Sequence, residues 1–101
     1  MEEKIALHVN DEDNVAVVMS EGVRAGDAVT VRDKTGKETA VTALGDIPFG
    51  HKIAVRDIEA GREVRKYGEV IGGATADIAA GDYVHVHNMD SLRGRGDLAA
   101  E

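Results

Sequence analysis

An eight-residue turn unit recurs along the chain and limits the folds that are open to it. Residues 57–64 read DIEAGREV, and residues 77–84, twenty positions later, read DIAAGDYV. A looser copy, GVRAGDAV, occupies residues 22–29. Each copy contains an apolar anchor, a glycine suited to positive φ and a valine that opens a strand. The copies are too few and too loosely matched for a solenoid, so we predict a compact β domain folded back on itself.

Other segments alternate apolar and polar residues with a period of two, which is typical of β-strands. Residues 4–10 alternate in this way, and the continuous apolar run at 15–19 indicates a strand covered on both faces. Residues 29–32 and 38–44 flank a turn at 33–36 that ends in glycine, which predicts a β-hairpin. No helical stripe exceeds about two turns, so the predicted fold class is all-β.

The composition favours a thin aliphatic core in one domain. At 101 residues the chain has the length of a single domain, and we expect residues 1–101 to form one. Its aromatic residues are only Phe49, Tyr67 and Tyr83, so valine-lined sheets are favoured over an aromatic sandwich. Because there is no cysteine, disulfides, thiolate metal sites and cysteine nucleophiles are excluded.

The charge excludes one class of partner. Twelve Lys and Arg face nineteen Asp and Glu, a formal net charge of −7. Such a chain repels polyphosphate, and Arg93 and Arg95 are too few to offset this, so we expect no nucleic-acid partner. The first residues lack a signal pattern and no apolar run reaches membrane-spanning length. We therefore expect a cytoplasmic protein with no membrane partner.

The last predicted strand carries a pair of histidines. Alternation places His85 and His87 on one face, with Val84 and Val86 opposite them against the core. Two such imidazoles can share a cation, or one can act as an acid while the other binds substrate. The same pattern also fits an exposed polar strand face. Because a catalytic metal site has about three protein ligands, a third would come from His51, an acid or a partner chain.

A second histidine-containing segment follows the turn at residues 48–50. In a predicted strand at 51–58, alternation puts His51 on the apolar side with Ile53. Lys52 then points outward, where it can meet a substrate carboxylate. A histidine on an apolar face can be either a hydrogen-bonded core residue or a ligand, and both interpretations stay open for His51.

Three further features suggest anion binding. The ammonium of Lys66 can hold a carboxylate while the phenol of Tyr67 donates to an oxyanion, although a lysine stem packed beside a core tyrosine is an equal alternative. The glycines of residues 71–74 either admit an anion to backbone amides or turn the chain. Asn88 adds an amide after the last predicted strand.

The turn unit, in a small valine-rich β domain, resembles the SAF domain, whose fold is called a β-clip. A series of short motifs further resembles the N-terminal domain of altronate and galactarate dehydratases, and covers about residues 4–97. In order, the motifs are Asp13-Asn14-Val15-Ala16-Val17, Gly50-His51-Lys52-Ile53-Ala54, Lys66-Tyr67-Gly68, Ile71-Gly72 and His85-Val86-His87-Asn88. Each motif is common by itself, so the resemblance depends on the ordered set.

The resemblance implies a lyase component. The family reaction removes a proton beside a carboxylate and expels the β-hydroxyl as water, through a carbanion stabilised by a divalent cation or by cationic side chains. The residues that would act in catalysis are His85, His87, Lys66 and Tyr67, and those that would bind substrate are His51, Lys52 and Asn88. His85 and His87 are also the candidate metal ligands.

The resemblance also implies partners. A larger domain follows the SAF domain in fused members, so we expect a large catalytic dehydratase chain as partner and a small sugar acid as substrate. A divalent metal (iron, manganese or magnesium) would be held mainly by that chain. Whether this chain is a separate subunit or an excised domain stays open. Alternatives are the small subunit of sulfolactate sulfo-lyase, which eliminates sulfite, and a non-enzymatic carbohydrate-binding SAF module, which would not need the whole motif set.

Overall fold

The computed structural model describes residues 3–91, in which the chain forms β-strands and no helix. None of these residues therefore belongs to a helix with the length and apolarity needed to cross a lipid bilayer. Arg93 and Arg95 lie outside the described residues. The strands are β1 Lys4–His8, β2 Val15–Val18, β3 Ala28–Asp33, β4 Glu38–Thr42, β5 Lys52–Ala54, β6 Glu63–Lys66, β7 Glu69–Ala74, β8 Tyr83–Val84 and β9 Met89–Ser91.

These strands form two sheets. The large sheet has the order β4-β3-β1-β2-β5-β8, and the small sheet has the order β6-β7-β9. β1 and β3 run parallel, whereas the other paired strands run antiparallel. The predicted all-β class is confirmed, and its short strands joined by glycine turns are consistent with a β-clip.

The large sheet separates two aliphatic cores. Val18 of β2 and Ile53 of β5 are buried in the first core. Their neighbours Val15 and Ala54 are buried in the second core, which also contains residues of the small sheet. β2 lies between β1 and β5, so both of its faces are covered, as predicted from its continuous apolar run.

β1 buries a smaller residue than its apolar alternation suggests. Ala6 is fully buried, whereas Leu7 and Val9 are each 38% exposed. In the two ladders of β1, Ala6 stands directly between Val18 and Val31. Ala6 therefore packs in the first core together with these two valines.

The repeated unit closes pairs of turns that cap each other. Ile58 and Ile78 form an antiparallel bridge in which each backbone N–H donates to the other's carbonyl at 2.7 Å. The carboxylate of Asp57 caps the turn after Ile78, and Asp77 caps the turn after Ile58, each through an N–H···Oδ1 hydrogen bond of 2.9 Å. The repetition in sequence therefore reflects a reciprocal contact in space.

A second pair of turns is joined by a bridge between Val23 and Ile47. Its capping is one-sided: Asp46 accepts a hydrogen bond from the other turn at 3.2 Å, but Gly22 stands where the second aspartate would be. The Ile47 turn is thus a fourth copy of the unit. This copy differs from the others in its last position, where Ile53 replaces the valine that opens the strand. A pattern that requires valine there does not detect it.

The predicted hairpin at residues 33–36 is confirmed. It joins β3 to β4, and Gly36 has a φ of 91°. The Thr35 hydroxyl, the main cause, lowers the pKa of the Asp33 carboxyl, together with the backbone N–H groups of Thr35 and Lys37. All three groups donate to the same oxygen of Asp33, which fixes the turn.

A buried carboxylate joins the large sheet to the hairpin between β6 and β7. Asp13, in the loop before β2, is 1% exposed. Its Oδ1 accepts from the Gly68 N–H at 2.7 Å, and its Oδ2 accepts from the N–H groups of Tyr67 at 2.8 Å and Asn10 at 3.2 Å. Tyr67 and Gly68 have φ angles of 57° and 77°, as in the type I′ turns that suit hairpins.

Replacing Asp13 with alanine should strongly destabilise the fold. Asp13→Ala removes the acceptor of three backbone N–H groups, so we expect the free energy of unfolding to fall by about 3 kcal/mol or more. Urea denaturation provides the measurement. Asp11→Ala removes an exposed carboxylate nearby and should change stability by less than about 0.5 kcal/mol. Equal stability of Asp13→Ala and the wild type would contradict this role.

Candidate functional site

Four aromatic rings meet where β8 ends. The ring of Tyr83 lies 5.6 Å from that of His51, 5.5 Å from that of His85 and 5.6 Å from that of His87, measured between centroids. His51 and His85 are 5.2 Å apart. Tyr83 and His85 stack with an interplanar angle of 9°. The fold thus brings the three predicted site histidines together around one tyrosine, and we call this group the ring cluster.

A hydrogen bond of 2.7 Å joins the Tyr83 hydroxyl to Nδ1 of His51. β5 is shorter than the predicted strand at 51–58, but its register places Ile53 opposite Tyr83. His51 precedes Ile53 by two positions and lies on the same side, as predicted. A phenol and an imidazole joined in this way can pass a proton between them, because each is both a donor and an acceptor.

The prediction of a last strand through His87 is wrong. β8 ends at Val84, and Val86 is 74% exposed instead of packing in the core. The chain turns because the Asn88 side chain replaces backbone partners: its Oδ1 accepts from His85 N–H and its Nδ2 donates to the Tyr83 carbonyl, both at 3.0 Å. Asparagine commonly closes turns in this way, and here it overrides the alternating pattern.

Asn88 therefore positions two members of the ring cluster. It is 7% exposed, and its backbone N–H also donates to the carbonyl of His85 at 3.0 Å. These three hydrogen bonds set the direction in which the chain leaves Tyr83. A direct contact between Asn88 and a substrate stays a prediction.

Tyr83 is not among the site residues predicted from the sequence, although it contacts all three histidines. A signal was present, because Tyr83, His85 and His87 occupy alternate positions. An aromatic residue at the head of such a row is equally typical of a core position, and Tyr83 does pack partly against the first core. What distinguishes a site residue from a core residue here is the hydrogen bond to His51, which lies 32 residues away in the sequence.

An open cavity of ≈ 540 Å³ adjoins the ring cluster. Its lining includes Tyr83, His87, Asn88, Asp77 and Asp82. The volume falls within the range of small-molecule sites. His87 is exposed, so its imidazole is accessible for proton exchange with a bound molecule.

The two predicted site lysines lie away from the ring cluster. Lys52 stands opposite Val84, which belongs to the second core, so its side chain leaves the sheet on the face opposite Ile53. Burial, and secondly the nearby ammonium of Lys66, lower the pKa of Lys52. Within residues 3–91 neither lysine forms an ion pair. Two neighbouring, half-buried ammonium groups without a carboxylate partner can attract an anion.

The Lys66-Tyr67-Gly68 motif has a structural explanation in the hairpin between β6 and β7. Tyr67 and Gly68 form the turn held by Asp13. Nζ of Lys66 lies 4.9 Å from the centroid of the Tyr67 ring, a cation–π contact, and Tyr67 is 56% exposed. In the described residues Tyr67 makes no ring contact with the ring cluster. The catalytic roles of Lys66 and Tyr67 stay predictions.

The described residues do not fit a complete metal shell. No group of three or more histidine, aspartate or glutamate side chains in residues 3–91 is arranged to hold a metal ion. His85, one of the candidate ligands, stacks on Tyr83. The strand geometry that motivated the metal assignment of His85 and His87 is also absent.

Comparison with known proteins agrees with this architecture. The family model of the altronate/galactarate dehydratase SAF domain matches residues 4–92. Altronate dehydratase of Escherichia coli (strain K12) is 47% identical over 82 residues, or 81% of this chain and 15% of that protein. Galactarate dehydratase (L-threo-forming) of the same strain is 39% identical over 79 residues, or 77% of this chain and 14% of that protein.

A third relative is much shorter. The alpha subunit of (2R)-sulfolactate sulfo-lyase from Chromohalobacter salexigens is 40% identical over 83 residues, which cover 81% of this chain and 88% of that subunit. The matched region is therefore a small part of the two dehydratases but nearly the whole of the sulfo-lyase subunit.

Replacing Lys52 with methionine should stabilise the fold at neutral pH. Because its pKa is lowered from 10.5 on folding, the ammonium is unfavourable in the folded state at every pH below the lowered pKa. The penalty fades as the pH rises towards 10.5. We therefore expect Lys52→Met, which keeps the apolar stem, to be more stable than the wild type at pH 7, with a difference that shrinks as the pH rises.

Urea denaturation of the wild type and of Lys52→Met, from pH 7 towards pH 10.5, measures the difference in their free energies of unfolding. Lys34→Met, in the exposed turn between β3 and β4, is the matched control and should leave stability unchanged. A Lys52→Met protein that is less stable than the wild type at pH 7 would mean that the ammonium has a stabilising partner.

Proposed function

Because this chain belongs to the altronate/galactarate dehydratase SAF domain family, we propose that it is the β-rich component of a hydroxy-acid lyase that acts with a larger catalytic chain. Three observations support the need for a larger chain. The matched dehydratases are several times longer than this domain, and the matched sulfo-lyase chain is named as a subunit. The ring cluster also lies beside an open cavity that a second chain would have to close.

The ring cluster is the observation that carries the proposal. Elimination needs a base for the proton beside the carboxylate and an acid that protonates the departing β-hydroxyl as water. Imidazoles change protonation near neutral pH, which suits both tasks. We assign proton exchange with the substrate to His87, which is exposed at the cavity, supported by His85. The hydrogen bond between Tyr83 and His51 offers a route along which a proton can be passed on.

Groups outside the ring cluster stabilise the negative charge that develops on the substrate. Removal of the proton leaves an enediolate with additional negative charge, which requires cations. Lys52 and Lys66 lie away from the ring cluster, so neither faces an enediolate that forms there. A divalent cation such as iron, manganese or magnesium would stabilise that charge as a Lewis acid, and we assign it to the larger chain because the described residues do not fit a full shell.

A sulfo-lyase subunit is the second candidate. It is favoured by one observation, that the match spans 88% of the sulfolactate sulfo-lyase alpha subunit and so resembles a free-standing chain. The acid–base requirement is then similar, but sulfite leaves instead of water. Release of sulfite from sulfolactate, compared with formation of a keto acid from altronate or galactarate, distinguishes the two lyases.

The first test is whether activity requires two chains. A tagged form of this chain, purified from its native host, should bring with it a lyase chain of several hundred residues. We expect the pair to convert a sugar acid or sulfolactate, and this chain alone to be inactive. Turnover by the rigorously purified small chain would contradict the division of labour. Recovery of a stable carbohydrate-assembly complex with no lyase would favour the binding module.

The second test concerns the ring cluster in the reconstituted pair. His87→Ala and Tyr83→Phe should each lower kcat by about a hundredfold, the scale for losing an acid–base group. Val86→Ala is the matched control, because Val86 is 74% exposed in the same turn, and it should leave kcat unchanged. If His87→Ala and Tyr83→Phe both retain wild-type turnover, proton transfer takes place in the larger chain.

A further inference from the structure

One face of the large sheet is only partly covered. Val15 of β2 is buried on this face in the second core, to which the small sheet also contributes. Side chains two positions apart in a strand share a face, so Val17, and Met19 directly after β2, lie on the same side as Val15. Leu7 of β1 stands opposite Val17, and the N–H of Met19 donates to the carbonyl of Ile5 at 2.8 Å. We call Ile5, Leu7, Val17 and Met19 the open stripe.

The open stripe is apolar and accessible. Leu7 is 38% exposed and Met19 is 43% exposed, while Ile5 and Val17 are half-buried. In the part of the chain that the structure describes, none of the four belongs to either aliphatic core. Single exposed apolar residues are ordinary in soluble proteins, but four of them on neighbouring strands form one contiguous patch. Such a patch is typical of a surface that another chain contacts.

A lysine without an acidic partner borders the open stripe. Lys52 of β5 stands directly opposite Val17 on the same face of the sheet. Its side chain is half-buried, and within residues 3–91 its ammonium forms no ion pair. Burial, and secondly the neighbouring ammonium of Lys66, lower the pKa of Lys52. A carboxylate brought beside Lys52 by another chain would offset both effects.

The open stripe ends beside the ring cluster. Val18, which precedes Met19, donates its N–H to the carbonyl of His51 and accepts from the N–H of Gly50, both at 2.8 Å. Met19 and His51 therefore lie at the same end of the large sheet, with their side chains on opposite faces. A chain that closes the cavity beside the ring cluster needs only to continue around this end to reach the open stripe.

On the basis of the proposed function, we propose that the open stripe is a docking surface for the larger catalytic chain. Its occupant is a segment of that chain with aliphatic side chains along the stripe and a carboxylate that pairs with Lys52. A second copy of this chain is a poorer occupant, because each copy has a formal net charge of −7 and like net charges oppose association. The larger chain then holds the domain by one face and reaches the ring cluster at its end.

Lys52→Met should have opposite effects on folding and on docking. The isolated chain loses an unfavourable charge, whereas the complex loses an ion pair. We therefore expect the affinity for the co-purified larger chain to fall by about tenfold, although the variant is the more stable protein. Titration calorimetry measures the affinity, and Lys34→Met, in an exposed turn, is again the matched control. Wild-type affinity of Lys52→Met would overturn the assigned ion pair.

Two variants test the apolar contacts. Leu7→Glu and Met19→Glu each place a charge in the open stripe and should weaken binding of the larger chain by about thirtyfold or more. Ala60→Glu adds the same charge at an exposed turn and should leave the affinity unchanged. Met19 lies outside the strands, so Met19→Glu tests the surface even if Leu7→Glu fails to fold. Wild-type affinity of Met19→Glu would overturn the proposal.

The outcomes separate this inference from the proposed function. Excess larger chain should restore the turnover of Met19→Glu to the wild-type value, because the open stripe has no part in proton transfer. If a lyase chain binds the wild type and all the variants equally, the inference is refuted and the lyase assignment is retained. If the wild type recovers no lyase chain, the proposed function is refuted, and with it this occupant of the stripe.

Sedimentation velocity of the isolated chain tests the alternative occupant. We expect a monomer for the wild type and for Met19→Glu. A wild-type dimer that Met19→Glu dissociates would show that a second copy covers the open stripe, and would overturn its assignment to the larger chain.

Discussion

A carboxylate that is withdrawn from water must be surrounded by donors, and Asp13 obtains them from two distant parts of the chain. Its carboxylate accepts hydrogen bonds from the N–H of Asn10 in its own loop and from the N–H of Tyr67 in the turn between β6 and β7. Tyr67 lies 54 residues further along the chain. Asn14 adds two contacts to β6, accepting from the N–H of Arg65 and donating to the carbonyl of Glu63, both at 2.8 Å. Two consecutive polar residues therefore hold the small sheet against the large one.

The candidate site depends on this arrangement through the second core. Val84 of β8 and Val64 of β6 are buried in that core together, so the position of β8 is set partly by the sheet that Asp13 and Asn14 hold. After β8, the side-chain hydrogen bonds of Asn88 set the direction of the chain and so orient the stretch that carries His85 and His87. The ring cluster is thus supported by backbone pairing and by a buried amide.

The predictions that succeeded concern contacts within a few residues. The hairpin at 33–36 follows from local turn chemistry and the doubly covered β2 from its continuous apolar run, and both are present. The repeated turns were recognisable for the same reason, but their mutual capping was not, because Asp57 and the N–H that it caps lie 23 residues apart. Tyr83 was missed as a site residue because its partner, His51, is also remote in sequence, at a separation of 32 residues.

The clearest failure shows why alternation is an incomplete guide to a site. Residues 83–87 have the pattern of a strand, yet the side chain of Asn88 competes for the same backbone groups and ends β8 after Val84. The lysines show a second limit. Alternation correctly predicts that the side chains of His51 and Lys52 lie on different sides of the sheet. The family resemblance instead places both residues in one motif, although they belong to different surfaces of the protein.

The order of the strands in the large sheet has a consequence for how the molecule opens. β1 to β4 are neighbours in sequence and lie side by side, whereas the small sheet is attached through contacts that span about half of the chain. Loss of the Asp13 contacts would therefore release β6, β7 and β9 as a unit before the strands around β1 separate. We expect backbone amides of β6 and β7 to exchange with deuterium by this partial unfolding, and those of β1 and β3 only when the whole molecule unfolds.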